Sequence, residues 1–179
     1  FSSTLVHALN VRTVRIGIVG DVTPGTLALS IQERISGGLT RLAPDGSPQP
    51  ALASSWEVSD SGKTYTFAIN TDFHWHNGKP VTSKDINYNI RDVIFTVISP
   101  TMLQAKLQEP FAPFLTLVAK PILQSGLGGF GPYRVDTVRL KGDSIQYLRL
   151  EPADRKTSTS LEYRFYRTEA AAANAFELG

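Results

Sequence analysis

The stretch ALASSWEVSDSGKTYTFAI, residues 51–69, alternates on both sides of a turn. Trp56 and Val58 share a parity before it, and Tyr65, Phe67 and Ile69 share one after it. Asp60-Ser61-Gly62 lies between them. A period of two around such a turn predicts a β-hairpin, because successive strand side chains point to opposite faces. Trp56 is expected to pack as core against Tyr65 or Phe67.

Outward from the hairpin the chain alternates short strands with turn residues. VRIGIV (14–19) reads as a buried strand ending at Gly20, and DVTPGT follows as a loop. Residues 27–35 predict a short helix or irregular segment. LTRL (39–42) reads as a strand, with Asp45-Gly46 in the turn after it. FHWH (73–76) is extended and closed by Asn77-Gly78. Thr82 and Asp85 have capping-box spacing, which predicts a short helix with Ile86 and Ile90 on its apolar face. DVIFTVI (92–98) and MLQAKL (102–107) predict paired strands. EPFAPFLTLVA (109–119) predicts a helix burying Phe114, Leu117 and Val118. Strands are expected over 133–140, 144–152 and 161–167, followed by an alanine-rich helix capped by Thr168. The fold class is α+β, mostly antiparallel β with short helices.

Composition narrows the function. With 179 residues, 41% hydrophobic and 19% charged, the chain can bury an ordinary core. A net charge of +2, with basic residues scattered, gives no nucleic-acid footprint. The absence of cysteine excludes disulfides and thiolate metal sites. No run of about 18 apolar residues suggests a membrane span. Both ends look cut, as in a piece of a longer chain.

Three stretches could carry chemistry. Asp72, His74 and His76 would share one face of a strand and could hold Zn²⁺ or Ni²⁺. A straight strand, however, separates i from i+4 by about 13 Å, too far for one ion. Otherwise His76 would bond the backbone of its own turn and His74 would be solvated. GIVGDVTPG and GLGGFGP carry glycines, but neither has a phosphate-loop pattern opening a helix. Ser, His and Asp are all present without a nucleophile-elbow motif. These residues point to no catalytic site, no metal and no cofactor, and the chain is not expected to be an enzyme.

Residues 38–85 resemble the signature region of family 5 extracellular solute-binding proteins. The matching residues are Gly38-Leu39, Asp45-Gly46, Pro50, Leu52-Ala53, Ser55-Trp56, Gly62 to Phe67, Trp75-His76-Asn77-Gly78, Pro80, Thr82 and Asp85. LQEPFAPFL, GFGPYRV and FYRTEAAAANAFELG resemble later stretches of that family. The stretch between Asp85 and Phe95 is shorter than in the family. The resemblance implies the N-terminal lobe of a type II periplasmic-binding-protein-like fold. It implies a tail at 1–13, first-lobe core segments at 14–36 and 131–179, and an inserted β-rich subdomain at 37–130. It makes the W-H-x-G turn part of the scaffold.

The implied function is capture of a solute, an oligopeptide first, by lobe closure, for delivery to ABC permease subunits. The second lobe would lie elsewhere in the same chain, and the protein would be extracytoplasmic and membrane-anchored. Ligand contacts are expected at Asp21, Val22, Thr23 and Pro24, just beyond the first strand, and then at Gly131. The competing readings are a β-rich extracellular interaction module and, third, an exported metal-dependent hydrolase.

Overall fold

The computed structural model describes residues 12–154 and 159–177. The expected tail at 1–13 lies outside these as far as residue 11, and Arg12 already opens the first strand. The described residues form two compact units, one of those up to Thr26 together with those from Tyr133 onward, and one of Leu27–Pro132.

The discontinuous unit is built on a four-stranded sheet. Strand β1 (Arg12–Val19) runs parallel to β10 (Thr159–Tyr166). Beyond β10 lie β9 (Ser144–Pro152) and then β8 (Tyr133–Lys141), both antiparallel to their neighbours. One face buries Leu148, Leu150, Leu161, Tyr163 and Phe165. Charges cluster among Arg15, Arg149, Glu151 and Glu162: Arg149 Nε donates to Glu151 at 2.6 Å and Nη1 to Glu162 at 3.3 Å. Glu151 and then Glu162 raise the pKa of Arg149, since each carboxylate favours the guanidinium. Helix α3 (Glu169–Glu177) follows, with the Ala171 amide bonded to Thr168 Oγ1.

The continuous unit holds helix α1 (Leu29–Ile35), the short pair β2 (Thr40–Leu42) and β3 (Pro48–Pro50), and an antiparallel sheet. That sheet orders β4 (Ala53–Ser59), β5 (Thr64–Ile69), β7 (Met102–Leu107) and β6 (Val93–Ser99). The 51–69 hairpin forms as read, with Asp60 (φ 54°), Ser61 (φ 52°) and Gly62 (φ 89°) all left-handed in its turn. Insertion of β7 between β5 and β6 was not visible in the local pattern. Phe114, fully buried, packs on Tyr65 (4.7 Å between ring centroids), Phe67 and Phe95.

Four expectations need correction. Helix α1 belongs to the continuous unit, so the boundary falls at residue 27 rather than 37, and Gly131 lies inside that unit. Its allegiance is set by bonds to that unit: Ser36 Oγ donates to the Ile122 carbonyl and Gly131 N to Ile35 O. After Thr82, one 3-10 turn (Ser83–Asp85) forms and Ile86 is already extended. Asp85 Oδ2 accepts from Thr82 N and Oγ1, both at 2.8 Å, so the cap exists without a long helix.

The helix read at 109–119 is one turn, α2 (Phe114–Leu117), with Leu117 exposed. Pro113 sits at its start and Pro121 lies beyond it, each unable to donate a backbone hydrogen bond. Trp56 faces Phe67 across the hairpin but is only half-buried, because β4 is an edge strand. Phe114→Ala should therefore cost about 3–5 kcal/mol, and Trp56→Ala roughly half that or less. Equal losses in denaturant unfolding would contradict this placement of the core.

Candidate functional site

In the discontinuous unit, β1 ends at Val19 and is followed by Gly20, whose amide donates to Tyr166 O at 2.8 Å. Its φ of 148° is one that side chains avoid, and it turns the chain off the sheet. Residues 21–24 follow as a strand-end loop. Ser144 Oγ donates to the Asp21 carboxylate, and Ile145 N donates to Val22 O at 2.7 Å. Thr23 N donates to Thr26 Oγ1 at 2.9 Å, and Thr26 N to Thr23 O at 3.1 Å, around the 3-10 turn Pro24–Thr26. Asp21 and Pro24 are exposed, while Val22 and Thr23 are half-buried. The four residues thus form an exposed ledge held to the start of β9.

A hollow of this unit, about 600 Å³, is lined by Arg15, Gly17, Arg164, Tyr166 and alanines of α3. No motif in the sequence marked it, because its lining comes from both ends of the chain.

Gly131 lies in the continuous unit, on a groove of about 880 Å³. Leu29, Leu42, Phe73, Lys120 and Phe130 also line it. Both backbone groups of Gly131 are engaged: its amide donates to Ile35 O at 2.8 Å, and its carbonyl lies 2.9 Å from His76 Nε2. A Cβ on Gly131 would sit 2.7 Å from the Ile35 carbonyl carbon, and one on Gly129 2.0 Å from Ile35 O. The glycines of GLGGFGP therefore serve close backbone approach. Tyr88 ties the same unit together, accepting from Leu39 N and donating to Val118 O. Burial pushes its phenol pKa well up.

The structure does not bring Asp72, His74 and His76 together as one ligand set. His74 Nδ1 lies 3.0 Å from Asp72 O, and His76 is committed to Gly131 rather than to its own turn. His76 N also donates to Gly129 O at 2.8 Å. Among the described residues there is no group of three or more His, Asp or Glu side chains that could hold a metal ion.

The comparisons with known proteins agree with this scaffold. The model for bacterial extracellular solute-binding proteins, family 5 Middle, matches residues 47–104. Over those residues the chain is similar to family 5 extracellular solute-binding proteins. It is 53% identical over 51 residues to the dipeptide-binding protein of Bacillus subtilis, covering 28% of this chain and 9% of that one. It is 32% identical over 100 residues to the nickel-binding periplasmic protein of Escherichia coli, covering 46% and 19% respectively. Among solved structures, the Campylobacter jejuni protein NikZ with Ni(L-His) aligns with a TM-score of 0.72 and 19% identity, over 93% of this chain and 42% of that chain. The open, unliganded periplasmic murein tripeptide-binding protein MppA aligns at 0.73 and 15%, over 95% and 44%. The chain thus spans less than half the length of these two structures, and the likeness is one of fold.

Replacing His76 with Ala should loosen the glycine loop, at a cost of roughly 0.5–1.5 kcal/mol for the lost bond. Amide exchange at Gly129 and Gly131 should quicken more than in β9. Unchanged exchange there would show that the histidine anchors nothing.

Proposed function

We propose that this chain is the N-terminal lobe of a solute-binding component of an ABC importer, with an oligopeptide as its first-choice solute. The carrying observation is the alignment of more than nine-tenths of the chain with the fold of NikZ and MppA, together with the family 5 match over residues 47–104. Peptide as the solute class is supported by curated relatives named as dipeptide- and oligopeptide-binding. The nickel-binding relative is the reason the class needs testing. The protein would work outside the cytoplasm, anchored at the membrane, capturing solute by closing a second lobe over it and passing it to permease subunits. No chemical step is needed.

The contact residues proposed are Asp21, Val22, Thr23 and Pro24. They follow a strand end, where loops expose backbone groups to a ligand, and the Asp21 carboxylate suits a peptide amine or amide. Gly131 is a weaker candidate, since its backbone is already bonded. One lobe supplies only part of the contacts, so the expected Kd is about 1 mM or weaker. In an NMR titration of the 179-residue chain with mixed peptides, small shifts should cluster at residues 21–25. Shifts confined to 51–78 would sink this site and favour a protein-interaction module.

A further inference from the structure

Strand β6 is the unprotected edge of the continuous unit. Its sequence VIFTVIS has no charge and no proline, and Ile94 is 69% and Val97 42% exposed. Folded proteins blunt such edges with charges, bulges or prolines. The other edges here follow that rule. Strand β8 carries Arg134, Asp136, Arg139 and Lys141 with two irregularities. Strand β4 carries Glu57 and a bulge near Ala53, and β1 carries Arg12 and Arg15. In β6 the ladder stays regular from Val93 to Val97, and its one irregularity comes after Val97.

The direction of its free backbone groups can be fixed. Leu107 N donates to Lys63 O, on the β5 side, whereas Gln108 N donates to Asp92 O, on the β6 side. Antiparallel hydrogen bonding alternates by residue. Ile94, opposite Lys106, and Thr96, opposite Gln104, therefore bond to β7. Phe95 and Val97 turn their amides and carbonyls to the open edge. Val93 turns its carbonyl there too, while its amide donates to Ile90 O at 3.3 Å. Among the described residues no strand pairs at this edge.

We propose that two copies of this chain associate through β6, antiparallel, about a two-fold axis at Phe95. This register sets Phe95 against its own copy and Val93 against Val97. Phe95 then exchanges both of its backbone bonds with the second copy, and the Val97 amide reaches the Val93 carbonyl. Ile94 faces Thr96 of the second copy on the exposed side. The pairing is self-complementary: each facing pair joins β-branched or aromatic residues, which favour strand pairing, and no like charges meet. Arg91 and Asp92, ion-paired at 3.5 Å, fall outside the paired residues. A five-residue strand pair is a small interface, near or below about 1,200 Å² in total, so the dimer is weak and reversible. It is isologous and closed, which limits growth into fibres.

The test uses the 179-residue chain in sedimentation velocity over a wide concentration range. The parent should show a reversible monomer–dimer equilibrium. I94E/T96E sets like charges opposite each other and should weaken association about tenfold or more. I94E/T96K sets a carboxylate on each copy opposite an ammonium on the other and should restore it. Recovery in that variant also excludes misfolding as the cause. Because the chain lacks cysteine, the register can be checked directly. I94C and T96C chains should form a disulfide when mixed and oxidised gently, and far less when kept apart, since facing strand residues lie within disulfide reach. A parent that stays monomeric at all concentrations overturns the proposal. So does a dimer indifferent to both charge variants, or T96C crosslinking alone.

Discussion

The backbone contact between the glycine loop and the end of α1 organises the continuous unit. Gly129 and Gly131 approach Ile35 more closely than any side chain would allow. This contact binds residues 29–35 to a segment nearly a hundred residues later, and it presents the Gly131 carbonyl to His76. The W-H-N-G turn, the glycine loop and α1 are thus three parts of one joint. The aromatic core around Phe114 fills the space beside it, but apolar packing tolerates exchange of side chains. A backbone pressed against backbone does not.

The sequence was most legible where a single element decides its own form. The 51–69 hairpin, the three late strands and the Thr168 cap could be read because period-two alternation and capping are local signals. The helix expected after Thr82 failed for a tertiary reason. Its cap forms, but Tyr88 is drawn out to bond Leu39, Val118 and Lys120, and a helix there would forgo those bonds. The helix at 109–119 is shortened by prolines whose effect outweighs its apolar spacing. The allegiance of α1 could not be read at all, because it depends on Ile122 and Gly131.

The same contrast explains why the resemblance to family 5 was legible and the solute was not. Leu39, Leu52, Ala53, Phe67 and Trp75, all signature residues, are buried. They record how the lobe is packed. The strand-end ledge at 21–24 is held by Ser144 and Ile145, far off in sequence, and carries no pattern of its own. A match concentrated in residues 47–104 therefore identifies a scaffold that its relatives use for different solutes.

The parallel pair β1–β10 has a mechanical consequence. Eight residue pairs, from Arg12–Thr159 to Val19–Tyr166, run in register side by side. A pull applied at the start of β1 and the end of β10 drives the two strands past each other lengthwise. Their hydrogen bonds then share the force and must yield together rather than one after another. The antiparallel β8–β9 hairpin would instead peel open if drawn at its two free ends. Tension along this chain is therefore resisted first by the only parallel pairing in its described sheets.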